Sequence, residues 1–285
     1  MRSKKLITLL VVLLALALGY FERKEEHVVI DDKLEVTFLD VGQGDSAVIR
    51  LGESNEVILI DTGEADFAGR VTSYLDRHDI RTINYLVATH PHSDHIGSMS
   101  QIVDKYDVEK IYMPRAVNNT KSYEKFLMSI KNKGLKAKEA RAGVVLTDGE
   151  VSAQFVGPVG SGYEELNDYS AVLKISCKDV SFLFTGDAEK LSENEMLHNG
   201  EQLQADVLKV GHHGSNTSSG MEFLHQVMPD YAIISTDGES YGHPHKEVLE
   251  RLRKVNPYIE ILMTNECGNI TFTTDGENIE YETDR

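Results

Sequence analysis

The chain has 285 residues, of which 41% are hydrophobic and 26% are charged, fractions typical of a folded globular protein. Its formal net charge is −17. Such an acidic surface repels the phosphates of a long nucleic acid, so the composition excludes an extended basic DNA channel and tight binding of duplex DNA is not expected. A local positive site built from metal ions stays compatible with a phosphate substrate.

The N-terminus has the pattern of an export signal. Three basic residues precede an apolar run at 6–18, and small residues that resemble a cleavage site follow it. We predict that residues 1–21 are a signal peptide or an N-terminal membrane anchor, that 22–33 are a linker, and that 34–285 form one folded domain. No cysteine lies near the cleavage region, so a lipoprotein is not expected. The protein is expected to be exported, and either secreted or anchored to the outer face of the cytoplasmic membrane.

The domain alternates strands and helices in two rounds. Runs rich in Val and Ile between Gly, Asp and Asn turns predict strands at 34–41, 46–51, 56–60, 84–88, 108–113, 151–156, 171–177, 180–185, 207–210, 231–235, 259–263, 269–273 and 278–282. Apolar residues spaced three and four apart predict helices at 66–78, 96–106, 122–133, 188–198, 221–228 and 246–254. This order indicates two stacked sheets with helices outside them.

Two smaller features have ordinary structural interpretations. The helix at 122–133 is bordered by and contains lysines, which we interpret as a solvated face, with a substrate-guiding patch as the alternative; they are Lys121, Lys125, Lys131 and Lys133. Cys177 and Cys267 lie in strand-like segments, so buried free thiols are expected rather than a disulfide.

The segment 89–95 is the most informative part of the chain. It places three histidines and one aspartate directly after a buried strand. His90 and His92 alternate, so both side chains can point the same way from the strand end, and Asp94 and His95 can face a second ion in the turn that follows. Imidazole and carboxylate groups suit zinc, manganese or iron.

Three more strand ends carry similar groups. Asp187 follows a glycine after one strand, a double histidine follows the next, and a further histidine pair follows the strand at 231–235. In layered α/β proteins, the strand ends on one edge are where binding sites are built. The remaining histidines are interpreted as linker, structural or exposed residues: His27, His78, His198 and His225.

Together these segments resemble the metallo-β-lactamase superfamily. His90-x-His92-x-Asp94-His95 matches its signature, and Gly186-Asp187 matches its bridging aspartate. The segments 38–46, 167–170, 212–215 and 241–244 further resemble the hydrolase domain at the C-terminus of ComEC/Rec2 competence proteins and the phosphorylcholine esterase branch. The resemblance covers about 34–281. It implies a four-layer αββα sandwich with a metal site at one edge of the two sheets, here in a stand-alone, exported hydrolase domain at 34–285.

The resemblance also implies two divalent metal ions, with zinc preferred and manganese as the alternative. No histidine lies in 96–186, where many members of the superfamily have a metal ligand, so the double histidine is expected to supply it. The expected ligands of site one are His90, His92, His213 and Asp187. The expected ligands of site two are Asp94, His95, His243 and Asp187.

Other residues are expected to assist these ligands. Asp94 and His212 are the predicted catalytic residues, and His212 would bind or protonate the substrate. Asp61 is expected to orient a ligand histidine through its second ring nitrogen, although an ordinary turn aspartate is equally compatible with the pattern. Ser215 and His245 are expected to support the ligands or to lie near the substrate.

The sequence therefore predicts an exported metal-dependent hydrolase. We expect a phosphodiesterase or nuclease of the ComEC type that uses a hydroxide activated by two metals. Its expected partner is a phosphodiester: DNA, a nucleotide or a cell-envelope polymer, with short substrates preferred. Two alternatives stay open: a carbonyl hydrolase that opens a β-lactam or lactone, and a binding module that metals merely stabilise.

Overall fold

The computed structural model describes residues 33–52 and 54–285. The predicted signal or anchor at 1–21, the linker before Lys33 and His27 lie outside the described residues. Within them, no helix is both long enough and apolar enough to cross a membrane.

The described residues form strands and helices in the order that the sequence predicts, with some additional short elements. The strands are β1 Leu34–Phe38, β2 Ala47–Leu51, β3 Val57–Ile60, β4 Thr82–Val87, β5 Asp107–Met113, β6 Ala137–Glu139, β7 Val145–Asp148, β8 Val151–Gly157, β9 Val172–Cys177, β10 Val180–Phe184, β11 Val207–Lys209, β12 Tyr231–Ile234, β13 Glu260–Met263, β14 Ile270–Thr274 and β15 Ile279–Thr283. The helices are α1 Ala68–Arg77, α2 Ser93–Ile96, α3 Met99–Lys105, α4 Lys121–Asn132, α5 Lys190–Asn199, α6 Met221–Val227, α7 Lys246–Val255 and α8 Thr264–Cys267. Short 3₁₀ turns occur at Ala65–Phe67, Leu166–Tyr169, Gly211–Gly214 and Ser240–Gly242.

The strands form two mixed sheets. The strand order in the first sheet is β15-β14-β1-β2-β3-β4-β5-β6, and in the second it is β13-β12-β11-β10-β9-β8-β7. Strands β3 to β6 run parallel to one another, and so do strands β10 to β13. In each sheet, therefore, a set of neighbouring strands ends at the same edge.

Three apolar layers hold the sheets and helices together. Between the sheets, Phe38 of β1 stacks on Phe184 of β10 with ring centroids 5.5 Å apart. Helices α1, α3 and α4 cover the outer face of the first sheet, and α5, α6 and α7 cover that of the second. Each large side chain buried in these layers contributes roughly 1.5–3 kcal/mol. The expected four-layer αββα architecture is confirmed.

Several predicted boundaries are wrong. The single helix expected at 96–106 is two helices, α2 and α3, and the first begins inside the histidine segment. The break falls at Gly97 and Ser98. Gly97 packs against the backbone of Ala65, where a Cβ atom would be 2.5 Å from the backbone nitrogen, and the Ser98 hydroxyl donates to the carbonyls of Thr62 and Glu64. Strands β6 and β7 were missed because they are short and largely exposed, which weakens the apolar signal.

The two cysteines have different surroundings. Both are free thiols, as expected. Cys177 is buried in β9, but Cys267 is only half-buried and ends the short helix α8 rather than lying in a strand. Gly268 follows it with a left-handed φ of 74°, so the segment turns before β14 begins.

Candidate metal centre

The polar groups of the site follow strands that end at one edge of the two sheets. In the first sheet, β3 and β4 are parallel and lead to Asp61 and to the histidine segment that begins at Thr89. In the second sheet, β10 and β11 are parallel and lead to Asp187 and to the double histidine. Because the two sheets face each other, these strand ends converge.

Four of the converging side chains form an inner cluster. The donor atoms of Asp94, His95, Asp187 and His213 all lie within 4.8 Å of one another. The His95 Nε2 to Asp187 Oδ1 distance is 3.3 Å, and the His213 Nε2 to Asp94 Oδ2 distance is also 3.3 Å. Two imidazoles and two carboxylates around one point are a donor set that suits a divalent transition metal.

The buried atoms of this cluster fit a cation. His95 Nε2 and Asp187 Oδ1 are both buried, and neither has a hydrogen-bond partner among the described residues. Such an unsatisfied polar group costs about 1–3 kcal/mol. Although burial opposes ionisation, His95 and His213 hold the pKa of Asp187 well below its usual value. Asp187 is therefore a carboxylate, the form that binds metal.

A second pair of ring nitrogens lies on the other side of Asp187. His90 Nε2 is 2.9 Å from His92 Nδ1 and 3.9 Å from Asp187 Oδ2. Burial, together with the neighbouring His95, holds the pKa of His90 well below its usual value. Neutral imidazole is the metal-binding form, so His90, His92 and Asp187 could hold a second cation.

Contacts at Nδ1 orient the rings that face Asp187. In each case Nδ1 contacts a protein group, which leaves Nε2 toward the cluster. The Nδ1 contacts are Thr89 Oγ1 for His90 at 3.2 Å, Asp61 Oδ2 for His95 at 2.8 Å, Glu189 Oε1 for His212 at 3.0 Å and the Ser235 carbonyl for His213 at 3.0 Å. Partners of this kind commonly fix the orientation of metal-binding histidines.

Asp61 occupies the position that an orienting carboxylate requires. It is fully buried, has a left-handed φ of 53°, and accepts hydrogen bonds from His95 Nδ1 and from both the backbone N–H and the hydroxyl of Thr89. Burial raises the pKa of Asp61, and the contacts with His95 and Thr89 oppose that shift. One side chain thus holds both the start and the end of the histidine segment.

The double histidine lies in a strained turn. His212 and His213 have φ values of 48° and 53°, and Gly214 follows at 81°. Residues other than glycine rarely adopt this left-handed region, and such strain persists where surrounding contacts enforce it. The serine hydroxyl of Ser218 donates to the Gly211 carbonyl at 2.7 Å and closes the turn.

His212 faces the opening of the site. Its side chain is 25% exposed, its Nε2 is 3.9 Å from Asp187 Oδ2, and Thr217 Oγ1 lies 3.2 Å from its Nδ1. Burial lowers the pKa of His212, but the Glu189 carboxylate and Asp187 outweigh it and raise the pKa above its usual value. The imidazole is therefore positioned to donate a proton or to contact an anion.

The grouping of ligands differs from the prediction at two histidines. His213 was expected with His90 and His92, but it contacts Asp94 and belongs to the cluster that includes His95. His243 was expected in that cluster. Its ring centroid lies 5.6 Å from that of His212 and 6.4 Å from that of His213, and among the described residues no ion pair links it to a carboxylate.

The position of His243 has a local cause. The segment that carries it packs on the outer side of the double-histidine turn, where a Cβ atom on Gly214 would lie 2.6 Å from Pro244 Cβ. Two other predicted residues shape this loop rather than facing Asp187. His245 Nδ1 accepts from the Asn216 backbone at 3.0 Å, and Ser215 Oγ lies 3.0 Å from Thr217 Oγ1.

Three residues of the site were not assigned from the sequence: Glu189, Asp45 and Lys209. Lys209 Nζ forms a buried ion pair of 2.8 Å with Asp45 Oδ2, although the two residues belong to different sheets. Asp45 also donates from its backbone to the Asp94 carbonyl and lies 3.5 Å from His213 Nδ1. A lysine inside the otherwise apolar strand β11 was the available signal.

The comparison with protein families decides the classification. The family model described as the metallo-beta-lactamase superfamily matches residues 39–239. The chain belongs to the metallo-β-lactamase superfamily. The exposed histidines His78, His198 and His225 take no part in the site, as expected.

Curated relatives place this metallo-β-lactamase chain near competence-type proteins. It is 31% identical to ComE operon protein 3 of Bacillus subtilis over 84% of its own length and 33% of that protein. It is 30% identical to Recombination protein 2 of Haemophilus influenzae over 85% of its own length and 29% of that protein. The ComEC/Rec2 resemblance is confirmed, and the chain spans about a third of the length of these relatives.

A solved structure agrees with the fold. The metallo-beta-lactamase fold protein YhfI of Bacillus subtilis matches with a TM-score of 0.52 at 15% sequence identity, covering 88% of this chain and 100% of YhfI. At this identity the likeness concerns the architecture alone.

Proposed function

We propose that this metallo-β-lactamase protein is a metal-dependent phosphodiesterase of the nuclease type. The observation that carries the proposal is the placement of His212, which Glu189 and Thr217 hold beside Asp187 at the open side of the metal cluster. A proton donor at this position suits the release of an alkoxide from a phosphodiester. The competence-type relatives favour a nucleic acid substrate over a β-lactam.

The chain offers donor sets for two cations that share Asp187. Asp94, His95 and His213 would hold one of them, and His90 and His92 would hold the other. We propose zinc as the preferred ion and manganese as the alternative. When bound, such ions lower the pKa of a water nucleophile and neutralise charge on the phosphoryl oxygens.

The remaining chemistry belongs to the chain itself. Water adds to phosphorus and releases one proton to the solvent, one P–O ester bond breaks, and the leaving oxygen takes the proton of His212 Nε2, which a proton from the solvent then replaces. Glu189 at 3.0 Å from Nδ1 stabilises the protonated imidazole that donates it. The buried walls formed by His95 and Asp187 exclude bulk water from this side of the substrate.

The test is metal-dependent hydrolysis by the full chain. The metal-stripped protein is refilled with zinc or manganese and offered bis-(p-nitrophenyl) phosphate and a chromogenic β-lactam. We expect turnover of the phosphodiester only, and loss of that turnover in Asp187→Ala. Two bound metals without phosphodiester turnover would overturn the proposal. Turnover of the β-lactam would then identify a carbonyl hydrolase, and turnover of neither substrate would point to a binding module.

His212→Gln separates proton donation from metal binding. General acid catalysis contributes about 10²–10⁴-fold to rate, so kcat on the phosphodiester should fall by that factor. Metal content, measured by elemental analysis, should stay at the wild-type value. A lower metal content in this variant would contradict proton donation and make His212 a ligand.

Export is proposed from the N-terminal sequence pattern alone. Fractionation of cells that express the full chain should recover it outside the cytoplasm, in the medium or on the membrane. Deletion of residues 2–21 should retain the protein in the cytoplasm, and equal distribution of both forms would contradict export.

A further inference from the structure

A groove of about 570 Å³ opens beside His212. Thr217, which lies 3.2 Å from His212 Nδ1, forms the end of the groove nearest the metal cluster. Lys190 at the start of α5 and Arg251 and Lys254 on α7 line its walls. The backbone N–H of Lys190 donates to the Thr217 carbonyl at 3.2 Å, so the wall and the loop are joined.

The charges along this groove are unevenly paired. Of its two acidic side chains, Glu247 and Glu250, the second is bound to Lys246 at 3.0 Å. Within residues 33–52 and 54–285, none of the three cationic side chains of the walls forms a direct ion pair, although the charges of Arg251 and Lys190 also act on the buried carboxyl group of Glu193. Arg251 also has two buried guanidinium nitrogens, Nε and one Nη, without a hydrogen-bond partner. In a chain of net charge −17, three such cations around one groove indicate an anionic ligand.

An exposed aromatic ring lies on another side of His212. The side chain of Tyr241 is 82% exposed, and its ring centroid is 5.9 Å from that of His243, which is in turn 5.6 Å from that of His212. Tyr241 has a left-handed φ of 57°, a rare conformation for a bulky residue.

Asp237 holds this strained turn in place. Its carboxylate accepts from the Ser240 backbone at 2.7 Å and from the Ser240 hydroxyl at 2.6 Å, directly before Tyr241. The turn therefore presents an aromatic face to solvent at the rim of the site, and it does so from a fixed backbone.

We infer that the substrate is a single-stranded polynucleotide that occupies both features, with one base stacked on Tyr241 and a phosphate of the same strand in the groove of Lys190, Arg251 and Lys254. The inference rests on the proposed phosphodiesterase and names its substrate. Aromatic side chains stack on any unpaired base, and cationic grooves follow the backbone. A duplex hides its base faces, and a choline-bearing polymer would bring a cation toward three cations. A short groove of this kind also agrees with the otherwise acidic composition.

The experiment compares three substrates in the full, metal-loaded chain. The first is methyl p-nitrophenyl phosphate, which has no base and no second phosphate. The others are a single-stranded DNA oligomer and an abasic oligomer of the same length. The variants are Tyr241→Ala, Tyr241→Phe and the double change Lys190→Ala with Lys254→Ala. Two matched controls are Tyr258→Ala, a tyrosine that is 94% exposed, and Lys136→Ala, an exposed lysine that does not line the groove.

Tyr241→Ala should lower kcat/KM on the DNA oligomer about tenfold relative to the chromogenic ester, the loss expected for one stacked base. Tyr241→Ala should cause no such decrease with the abasic oligomer. Tyr241→Phe should have the wild-type kcat/KM on the DNA oligomer. The double lysine variant should reduce the slope of log(kcat/KM) against log salt by about 0.7 for each phosphate that the lysines no longer neutralise. Tyr258→Ala and Lys136→Ala should leave the substrate ratio and the slope at their wild-type values.

The outcomes separate the two proposals. No turnover of any phosphodiester by the metal-loaded wild type would defeat the phosphodiesterase itself. Turnover with unchanged substrate ratios and salt slopes in the variants would overturn only the polynucleotide inference. A Tyr241→Ala effect that is larger on p-nitrophenyl phosphorylcholine than on the DNA oligomer would overturn it in favour of a choline-bearing substrate.

Discussion

The two segments that bring histidines to the inner cluster of Asp94, His95, Asp187 and His213 are built in different ways. The segment at 89–97 leaves a strand, enters the helix α2 with ordinary helical geometry at Asp94 and His95, and is held by one buried carboxylate, Asp61. The segment at 211–220 places two consecutive histidines in left-handed conformations. Its support comes from residues distant in the chain, including Asp45 and Glu193.

This difference explains why a sequence motif predicts the geometry of the first segment but not that of the second. Local spacing fixes the first segment, because alternation along a strand end and one helical turn place its side chains on one side. The second segment depends on contacts that only the complete fold supplies. Its strain makes it the part of the site that should be most sensitive to loss of a distant partner.

The largest expected effect comes from breaking the link between the segments. Lys209→Met leaves Asp45 buried without its partner, and loss of one member of a buried pair costs about 3–5 kcal/mol. Urea unfolding followed by circular dichroism should show this loss. In the double variant Lys209→Met with Asp45→Asn, most of the stability should return. A stability of the single variant within about 1 kcal/mol of wild type would contradict a structural role for the pair.

The next effect concerns the pH dependence of the second segment. Burial raises the pKa of Glu193 to about 7 from 4.5, while hydrogen bonds from the Gly220 and Ser219 backbones, and the charges of Arg251 and Lys190, oppose the shift. A raised folded-state pKa adds stability below pH 4.5 that is lost as the pH rises through about 7. The free energy of unfolding should therefore decrease across this interval by at most about 3 kcal/mol.

Glu193→Gln removes this titration while keeping the size of the side chain. Its unfolding free energy, measured at several pH values between about 4 and 8, should lack the component that Glu193 contributes. Parallel pH profiles for the variant and the wild type would show that Glu193 does not titrate in this range.

The first segment should respond chiefly in metal affinity. Asp61→Asn keeps an acceptor for Thr89 but removes the charge that orients His95. Changes to such supporting groups typically weaken metal binding about 10–100-fold. Competition with a chelator of known affinity measures this change, and Asp66→Asn, an exposed aspartate outside the site, serves as the control. Equal affinities for Asp61→Asn and wild type would remove Asp61 from the site.

The smallest effect is expected from substitutions in the helix α4, which lies outside both segments. Its lysines are exposed, so Lys125→Ala and Lys131→Ala should each change stability by less than about 0.5 kcal/mol. Rates on the DNA oligomer should also stay constant. A rate decrease in either variant would revive the substrate-guiding alternative for this helix.

The architecture could be predicted because its signals are local. Strands such as β3, β4 and β10 are short apolar runs between turn residues, and the amphipathic helix α4 was located within one residue at each end. The edge strands β6 and β7 could not be found in this way, although the edge strands β13 and β15 were. Strand β6 pairs along one side only and exposes most of its side chains, so its sequence has little apolar periodicity.

The site was predicted in its residue types more fully than in its arrangement. The spacing His-x-His-x-Asp-His identifies the motif around His90. The position directly after Gly186, at the end of β10, identifies Asp187. The place of His213 depends on a left-handed turn and on the Ser235 carbonyl, and neither is encoded by neighbouring residues. Glu189 was missed because a glutamate that follows a strand ordinarily faces solvent.

Because strand ends from both sheets converge on the site, the sheets must pack before a metal can bind. Ligands as distant as His90 and His213 meet only after the two sheets have packed, so an unfolded or partly made chain has no complete site. A cation that binds there stabilises the packed state alone, and its free energy of binding adds to that of folding. We therefore expect metal uptake to follow folding. We also expect the ion acquired to be the one available in the compartment where folding ends, rather than the one that imidazole and carboxylate groups bind most tightly in isolation.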